Sequence, residues 1–181
     1  MQIDLRNEIQ ITDTEIRQGY RNLTQILIDK HLTIATMESA TSGQIASLIT
    51  DTEGASAMYV GGFVTYCNEA KIRCGVSEEC IEKYSVYSKE TACEMAKCCR
   101  NYYGTDIGIG VTGTMGNIDS DNREHSVPGE VYFAICINEE MKSYQVQIPL
   151  QESRYGYKMA VAKHILDALL HILEKKDCIF A

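Results

Sequence analysis

The chain has 181 residues, 45% of them apolar, and a formal net charge of −8. That length suits one ordinary domain burying roughly 70% of its unfolded surface, so no metal or disulfide staple is required. The acidic balance excludes a broad basic footprint for nucleic acid, whose phosphates need clustered Lys and Arg, but leaves room for a small phosphorylated ligand held by one or two basic side chains.

The first helix is announced by a capping box, Thr12 with Glu15 three residues on, after which Ile16, Tyr20, Leu23 and Leu27 recur at helical spacing. It is expected to end near Lys30. A strand follows at about Thr33 to Met37, then a turn crowded with Glu38, Ser39, Thr41, Ser42 and Gly43, then a helix whose Ile45, Leu48 and Ile49 share one face. "DTEGAS" breaks that helix. "GGFVTY", residues 61–66, reads as a strand, and "NEAKIRCG" as a short helix begun by Asn68 as N-cap and stopped by Gly75. A second short helix is expected at about Glu78 to Tyr84.

Ser88 can cap a longer helix through Tyr103, with Ala92, Met95, Ala96 and Cys99 inward and Gly104 as its stop. "TDIGIGVTG" is then a strand whose glycines at 108 and 110 leave one side bare for the close approach of a backbone or a ligand. The polar, turn-rich segment from Thr114 to Pro128 exceeds the usual connection length and reads as a functional or mobile loop. "GEVYFAICI" and "SYQVQIPL" form a hairpin around "NEEMK". A final helix from about Ser153 to Lys175 carries Met159, Ala162, Ile165, Leu166, Leu169, Ile172 and Leu173 inward. Strands and helices alternate along the whole length, which predicts an α/β protein: a mixed sheet covered by helices on both faces, as one domain over 1–181, with 1–11 as a flexible N-terminal extension.

Eight cysteines suit a disulfide framework in a secreted chain, yet Asp4, Arg6, Asn7 and Glu8 interrupt any apolar start, so the reducing cytoplasm is the expected compartment. No C-x-x-C occurs, and Cys93, Cys98 and Cys99 fall in one helical pattern, so neither metal nor cofactor is expected. No run of 18 uncharged apolar residues marks a membrane span.

A strand-to-helix turn sits at the carboxyl edge of an α/β sheet, where ligands bind and helix N–H groups are unpaired. Ser39, Thr41 and Ser42 at such a turn suit a nucleophile, a ligand contact or simple helix caps. There is no G-x-S-x-G elbow and no Walker lysine. "GGFVTYCNEAK" places Tyr66 at a strand end and Lys71 one turn into the next helix, where both can converge on the same edge; a desolvated lysine can take a proton from serine.

Together "ATMESATSGQIASLITDTEGAS", "GGFVTYCNEAK", "YSVYSKETACEMA", "DIGIGVTGTMG" and "VPGEVYFAI" resemble the CinA C-terminal family over residues 20–173. The resemblance implies a three-layer α/β/α sandwich, a homo-oligomer without metal, and an amidohydrolase converting nicotinamide mononucleotide to nicotinate mononucleotide and ammonia. It makes Ser39 the nucleophile, Lys71 its base and Tyr66 a partner in proton transfer, and it brings Arg154 of "ESRYGYK" to the ligand. Backbone N–H groups from Thr41 to Gly43 are then expected to face the oxyanion, and Arg154, Thr112 and Gly113 the phosphate, with Ser42 and Asn68 among the substrate contacts. His125 is expected as an exposed loop residue. Longer members of the family carry an additional N-terminal domain, which is expected to be absent here because few residues precede the first strand.

Two departures bear on the pocket. The family writes its first motif E-S-C-T-G-G, whereas Ala40 and Ser42 stand here for the cysteine and the first glycine. Its G-x-A-G-P-x-G-G loop becomes Gly113, Thr114, Met115, Gly116 and then "NIDSDNREHS". A catalytically weak nucleotide-binding module acting through a partner, or an unrelated Ser-Lys amidase or peptidase, are the rival readings.

Overall fold

The computed structural model describes residues 12–180, with side chains described as far as Lys175. The expected extension at 1–11 lies outside the described residues. Helix α1 (Asp13–Asp29) starts at the capping box, in which the Glu15 N–H donates to Thr12 Oγ1 and the Thr12 N–H to Glu15 Oε2. Its buried stripe is Ile16, Tyr20, Leu23 and Leu27. After β1 (Ile34–Glu38) come α2 (Gln44–Thr50), β2 (Tyr59–Val64), α3 (Asn68–Arg73), α4 (Glu78–Tyr84) and α5 (Lys89–Tyr103). Then follow β3 (Ile107–Gly113), β4 (Glu130–Ile137), β5 (Glu140–Gln147) and α6 (Arg154–Phe180).

The strands form one mixed sheet in the order β2-β1-β3-β4-β5. β1 pairs parallel with β2 and β3, whereas β3–β4 and β4–β5 are antiparallel. The period of two along each strand divides the core. Ile34 of β1, Ile107, Ile109 and Val111 of β3, and Val131, Phe133 and Ile135 of β4 pack with α1, α2 and α6. Ala35, Met37, Ala134 and Cys136 face α5 on the other side. The result is the expected three-layer α/β/α sandwich. The bare sides of Gly108 and Gly110 admit a helix: a Cβ there would lie 2.2 Å from the carbonyl oxygens of Ala96 and Ala92 respectively. No helix among the described residues is long and apolar enough to cross a membrane.

Several boundaries differ from those read in the sequence: β1 runs one residue later, over Ile34–Glu38, and α6 continues to Phe180 instead of ending near Lys175. β2 starts at Tyr59 and stops at Val64, so Tyr66 stands two residues beyond the strand. Cys67, not Asn68, is the N-cap of α3, and Asn68 is its first helical residue. The β4–β5 connection is a two-residue turn, with Ile137 opposite Glu140, because Asn138 takes a left-handed φ of 54° that asparagine tolerates. Because β1, β2 and β3 are parallel, their ends at Glu38, Val64 and Gly113 lie along one edge of the sheet.

Candidate active site

At that edge Ser39 leaves β1 and enters two overlapping turns, closed by Ser42 N–H to Ser39 O at 3.1 Å and Gln44 N–H to Thr41 O at 3.1 Å. Its own N–H donates to Val111 O at 2.9 Å, so the neighbouring strand holds the residue from behind. Ser42 and Gly43 have φ of 51° and 88°. This left-handed pair swings the chain into α2, whose opening leaves the Gly43, Ile45 and Ala46 N–H groups facing one side as a concavity suited to an anion. Glycine takes that conformation without strain, whereas serine at 42 carries a penalty on the order of 1 kcal/mol.

The anion in this concavity belongs to the chain itself. Glu38 is fully buried. Its Oε2 accepts from Thr41 Oγ1 at 2.7 Å, Gly43 N–H at 2.9 Å and Ile45 N–H at 3.1 Å, and its Oε1 from Ala46 N–H at 2.9 Å. The expectation that the N–H groups from Thr41 to Gly43 face a substrate oxyanion is corrected accordingly, since those of Ser42 and Gly43 are already engaged. The N–H groups of Ala40 and Thr41 have no partner among the described residues.

Lys71 lies in α3 with only 1% of its surface exposed. Its Nζ is 3.1 Å from Ser39 Oγ and donates to Thr65 O at 2.9 Å. No carboxylate among the described residues pairs with it. Burial disfavours the ammonium and brings its pKa from 10.5 down to about 8, against a smaller opposing influence of Cys67. A serine hydroxyl beside a weakly basic, desolvated amine is chemically a nucleophile–base pair.

Ser39 and Lys71 sit at the floor of a cavity of about 590 Å³, which Ala40, Tyr66, Asn68, Gly113 and Arg154 also line. Arg154 opens α6 and donates through Nη2 to the Tyr66 hydroxyl at 2.9 Å. Tyr66 is therefore tied to Arg154 at the rim, 62% exposed, with no hydrogen bond to the Ser39–Lys71 pair. Thr41, Ser42, Gly43 and Thr112, expected as substrate contacts, are not part of the cavity wall. The Thr41 hydroxyl is committed to Glu38, and that of Thr112 to Val86 O at 2.8 Å. Gly113 is on the wall at a φ of 146°, where a Cβ would meet Glu130 O and Val131 Cα at 2.6 Å. His125 is exposed, as expected.

Sequence reasoning missed several wall residues. Tyr87 donates to Asp119 Oδ2 at 2.6 Å, and Asn122 Nδ2 to the same oxygen at 2.6 Å. These two donors, Tyr87 first, hold the Asp119 carboxyl below its usual range, while burial and the nearby carboxylate push the Tyr87 phenol well up. Glu69 and Asp121 add two more carboxylates to the wall. An acidic residue inside the variant loop was the available signal for Asp119. No group of three or more His, Cys, Asp or Glu among the described residues is placed to hold a metal ion.

Comparison with known proteins agrees with this architecture. A family model described as the CinA C-terminal domain matches residues 17–173. A competence-damage inducible protein of Clostridium acetobutylicum is 37% identical over 155 residues, 85% of this chain and 36% of that protein. One of Bacillus subtilis is 35% identical over 149 residues, 82% of this chain and 35% of that protein. The chain thus spans little more than a third of the length of the curated relatives it matches. Among solved structures, a competence-damaged protein (CinA) superfamily protein of Escherichia coli superposes with a TM-score of 0.80 at 28% identity, covering 95% of this chain and 99% of that one. A competence or damage-inducible protein of Enterobacter asburiae gives 0.80 at 27% identity, covering 87% and 98%.

Proposed function

Since the chain belongs to the CinA C-terminal domain family, we propose that it is a Ser-Lys amidohydrolase that converts nicotinamide mononucleotide to nicotinate mononucleotide and ammonia. The observation that carries this reading is the 3.1 Å approach of a buried Lys71 Nζ, unpaired with any carboxylate among the described residues, to Ser39 Oγ on a cavity floor.

In the proposed reaction Thr65 O holds one amine N–H and leaves the lone pair of neutral Lys71 for the Ser39 proton. Ser39 Oγ bonds to the carboxamide carbon, and the carbonyl oxygen becomes an oxyanion that accepts from the unpaired Ala40 N–H group on the cavity wall. The carbon–nitrogen bond then breaks as Lys71 returns the proton to the departing nitrogen, releasing ammonia. Water adds to the acyl-serine with the same amine as base, and Ser39 leaves with its proton restored. Proton transfer rests on Lys71, while Tyr66 stands with Arg154 at the far end, where the guanidinium meets the phosphate. Asn68 and Gly113 line the path between.

The test is ammonia release from nicotinamide mononucleotide by the pure protein, with Ser39→Ala as the control and calorimetry on the same compound. Turnover lost in Ser39→Ala is expected. Binding without turnover by the wild-type protein would overturn the reading in favour of a nucleotide-binding module acting through a partner, a rival that Ser42 and the altered loop support. The reading includes self-association, for which the exposed Val60 and Val64 of edge strand β2 are the candidate surface.

A further inference from the structure

We infer that Glu38 is a positioning residue for the nucleophile turn: its carboxylate fills the concavity made by residues 41–46 and thereby holds the free Ala40 and Thr41 N–H groups beside Ser39. This rests on the Ser-Lys reading for its chemistry. The geometry behind it stands without that reading.

Glu38 is the last residue of a fully buried strand and pairs with no cation among the described residues. A carboxylate in the interior without a counter-ion is sustained only by hydrogen bonds, and here four donors supply them. Three are backbone N–H groups at the start of α2, whose N-cap, Gly43, has no side chain to serve them. Glu38 thus caps the helix from five residues upstream.

Reaching that far has a consequence that an ordinary cap lacks. Residues 39 and 40 lie between the strand that carries the carboxylate and the donors that grip it, so the loop closed by these bonds contains the nucleophile. Ser39 is fixed at both ends, by its N–H to Val111 O and by the bond from Ser42 N–H to its carbonyl. With Gly43, Ile45 and Ala46 bonded to Glu38 and Ser42 and Gln44 closing the turns, Ala40 and Thr41 keep the unpaired N–H groups. A helix cap alone predicts that losing Glu38 lowers stability. A positioning role predicts in addition that Ser39 in the folded protein becomes less reactive.

A small alkyl fluorophosphonate separates the two. The Ser39 Oγ–phosphorus bond forms as the phosphorus–fluorine bond breaks, fluoride leaves, the hydroxyl proton passes to Lys71, and the phosphonyl oxygen uses the Ala40 N–H group as an oxyanion would. Labelling rates are read by intact mass for wild type, Glu38→Gln, Glu38→Ala and, as a control destabilised in the core of the same helix, Ile49→Val. Glu38→Gln, which keeps one oxygen for the three-donor site, is expected to label about tenfold more slowly per folded molecule. Glu38→Ala should be slower still, and Ile49→Val unchanged. The pH midpoint of labelling should stay where Lys71 sets it in wild type and Glu38→Gln alike. Folded Glu38→Gln labelling at the wild-type rate overturns the inference. A wild-type protein that is folded but neither labels nor releases ammonia counts against the Ser-Lys reading instead. In that case the amide resonances of Ala40 and Thr41 decide the role of Glu38: they move in Glu38→Gln if the carboxylate positions them, and unmoved resonances refute it. Should Glu38→Gln fail to fold, the same resonances and labelling rates are measured in Glu38→Asp, whose shorter side chain cannot reach all four donors. Slower labelling with shifted resonances then supports the positioning role, and wild-type behaviour refutes it.

Discussion

Lys71→Met keeps an unbranched side chain in place while removing the amine, and its effect on stability should depend on pH in a way fixed by burial. The native amine has a pKa of about 8 against 10.5 for an unperturbed lysine. Below pH 8 both native and unfolded chains are protonated, and folding bears the whole cost of the buried ammonium. Between about 8 and 10.5 the native amine is neutral while the unfolded chain still binds the proton, so wild-type stability rises with pH relative to the variant. Above 10.5 both are neutral and the gain is complete. The gap between 10.5 and about 8 corresponds to about 3 kcal/mol in full and about 2.5 kcal/mol between pH 7 and pH 10. Urea unfolding of both proteins at those two pH values, followed by circular dichroism, measures it, and other titrating groups cancel in the comparison. The stability of Lys71→Met relative to wild type should fall by about 2–3 kcal/mol from pH 7 to pH 10. A difference that stays constant across that range refutes a desolvated amine.

Lys71→Arg keeps the charge but cannot give up its proton, so turnover should fall by about 10²–10⁴-fold while calorimetric binding persists; near-normal turnover in the folded variant excludes lysine as base. The pH profile of wild-type kcat/KM should rise with pH to a plateau with a midpoint near the amine's pKa of about 8, and a flat profile through that region contradicts a neutral-lysine mechanism. Ser42→Gly relieves a left-handed serine but adds unfolded-chain entropy, so thermal melts should place it within about 1 kcal/mol of wild type, whereas the β-branched Ser42→Val should lose about 1–3 kcal/mol. Arg154→Ala should raise KM for the mononucleotide about 10- to 150-fold, the worth of one charge-assisted contact, and leave nicotinamide riboside little changed; equal losses on both substrates would detach Arg154 from the phosphate.

How much could be read without coordinates depended on whether local rules reached the bond concerned. Helix α5 was legible because its cap, its inward stripe and its stop at Gly104 are all near-neighbour signals, and the structure uses each of them. Strand β5 was read three residues late at both ends, over 143–150 instead of Glu140–Gln147. Its first four residues are exposed on a sheet edge, so no alternation of apolar side chains marks where pairing begins. Ser39, Lys71 and Arg154 were selected by resemblance and by their place at element ends, and the fold brings all three to one cavity. The capping role of Glu38 was not read because capping rules look for a carboxylate within the first turn of a helix, reaching back, and not for one at the end of the preceding strand, reaching forward. Thr112 was misread for the converse reason: its side chain faces the segment before α5, a contact 26 residues away that no local pattern reports.

The altered loop bears most directly on what the cavity selects. Residues 114–128 are organised round Asp119, whose backbone N–H donates to Ser126 Oγ at 2.7 Å and whose carboxylate is gripped by Tyr87 and Asn122. Those bonds fix a negative charge on the wall rather than leave it free to turn away. Glu69 and Asp121 share that wall, and beside Lys71 the one basic side chain lining it among the described residues is Arg154. A glycine-rich loop would offer backbone N–H groups to a phosphate; this one offers carboxylates. In the proposed reaction the carboxamide must lie at Ser39, so the other end of the substrate has only the Arg154 side of the cavity on which a dianion is stabilised. Recognition of the phosphate then depends on a single guanidinium oriented by the Tyr66 hydroxyl. In that reading Tyr66 acts on the ligand through Arg154, and Tyr66→Phe should weaken the mononucleotide more than the riboside, a selectivity that a role in proton transfer at Ser39 would not produce.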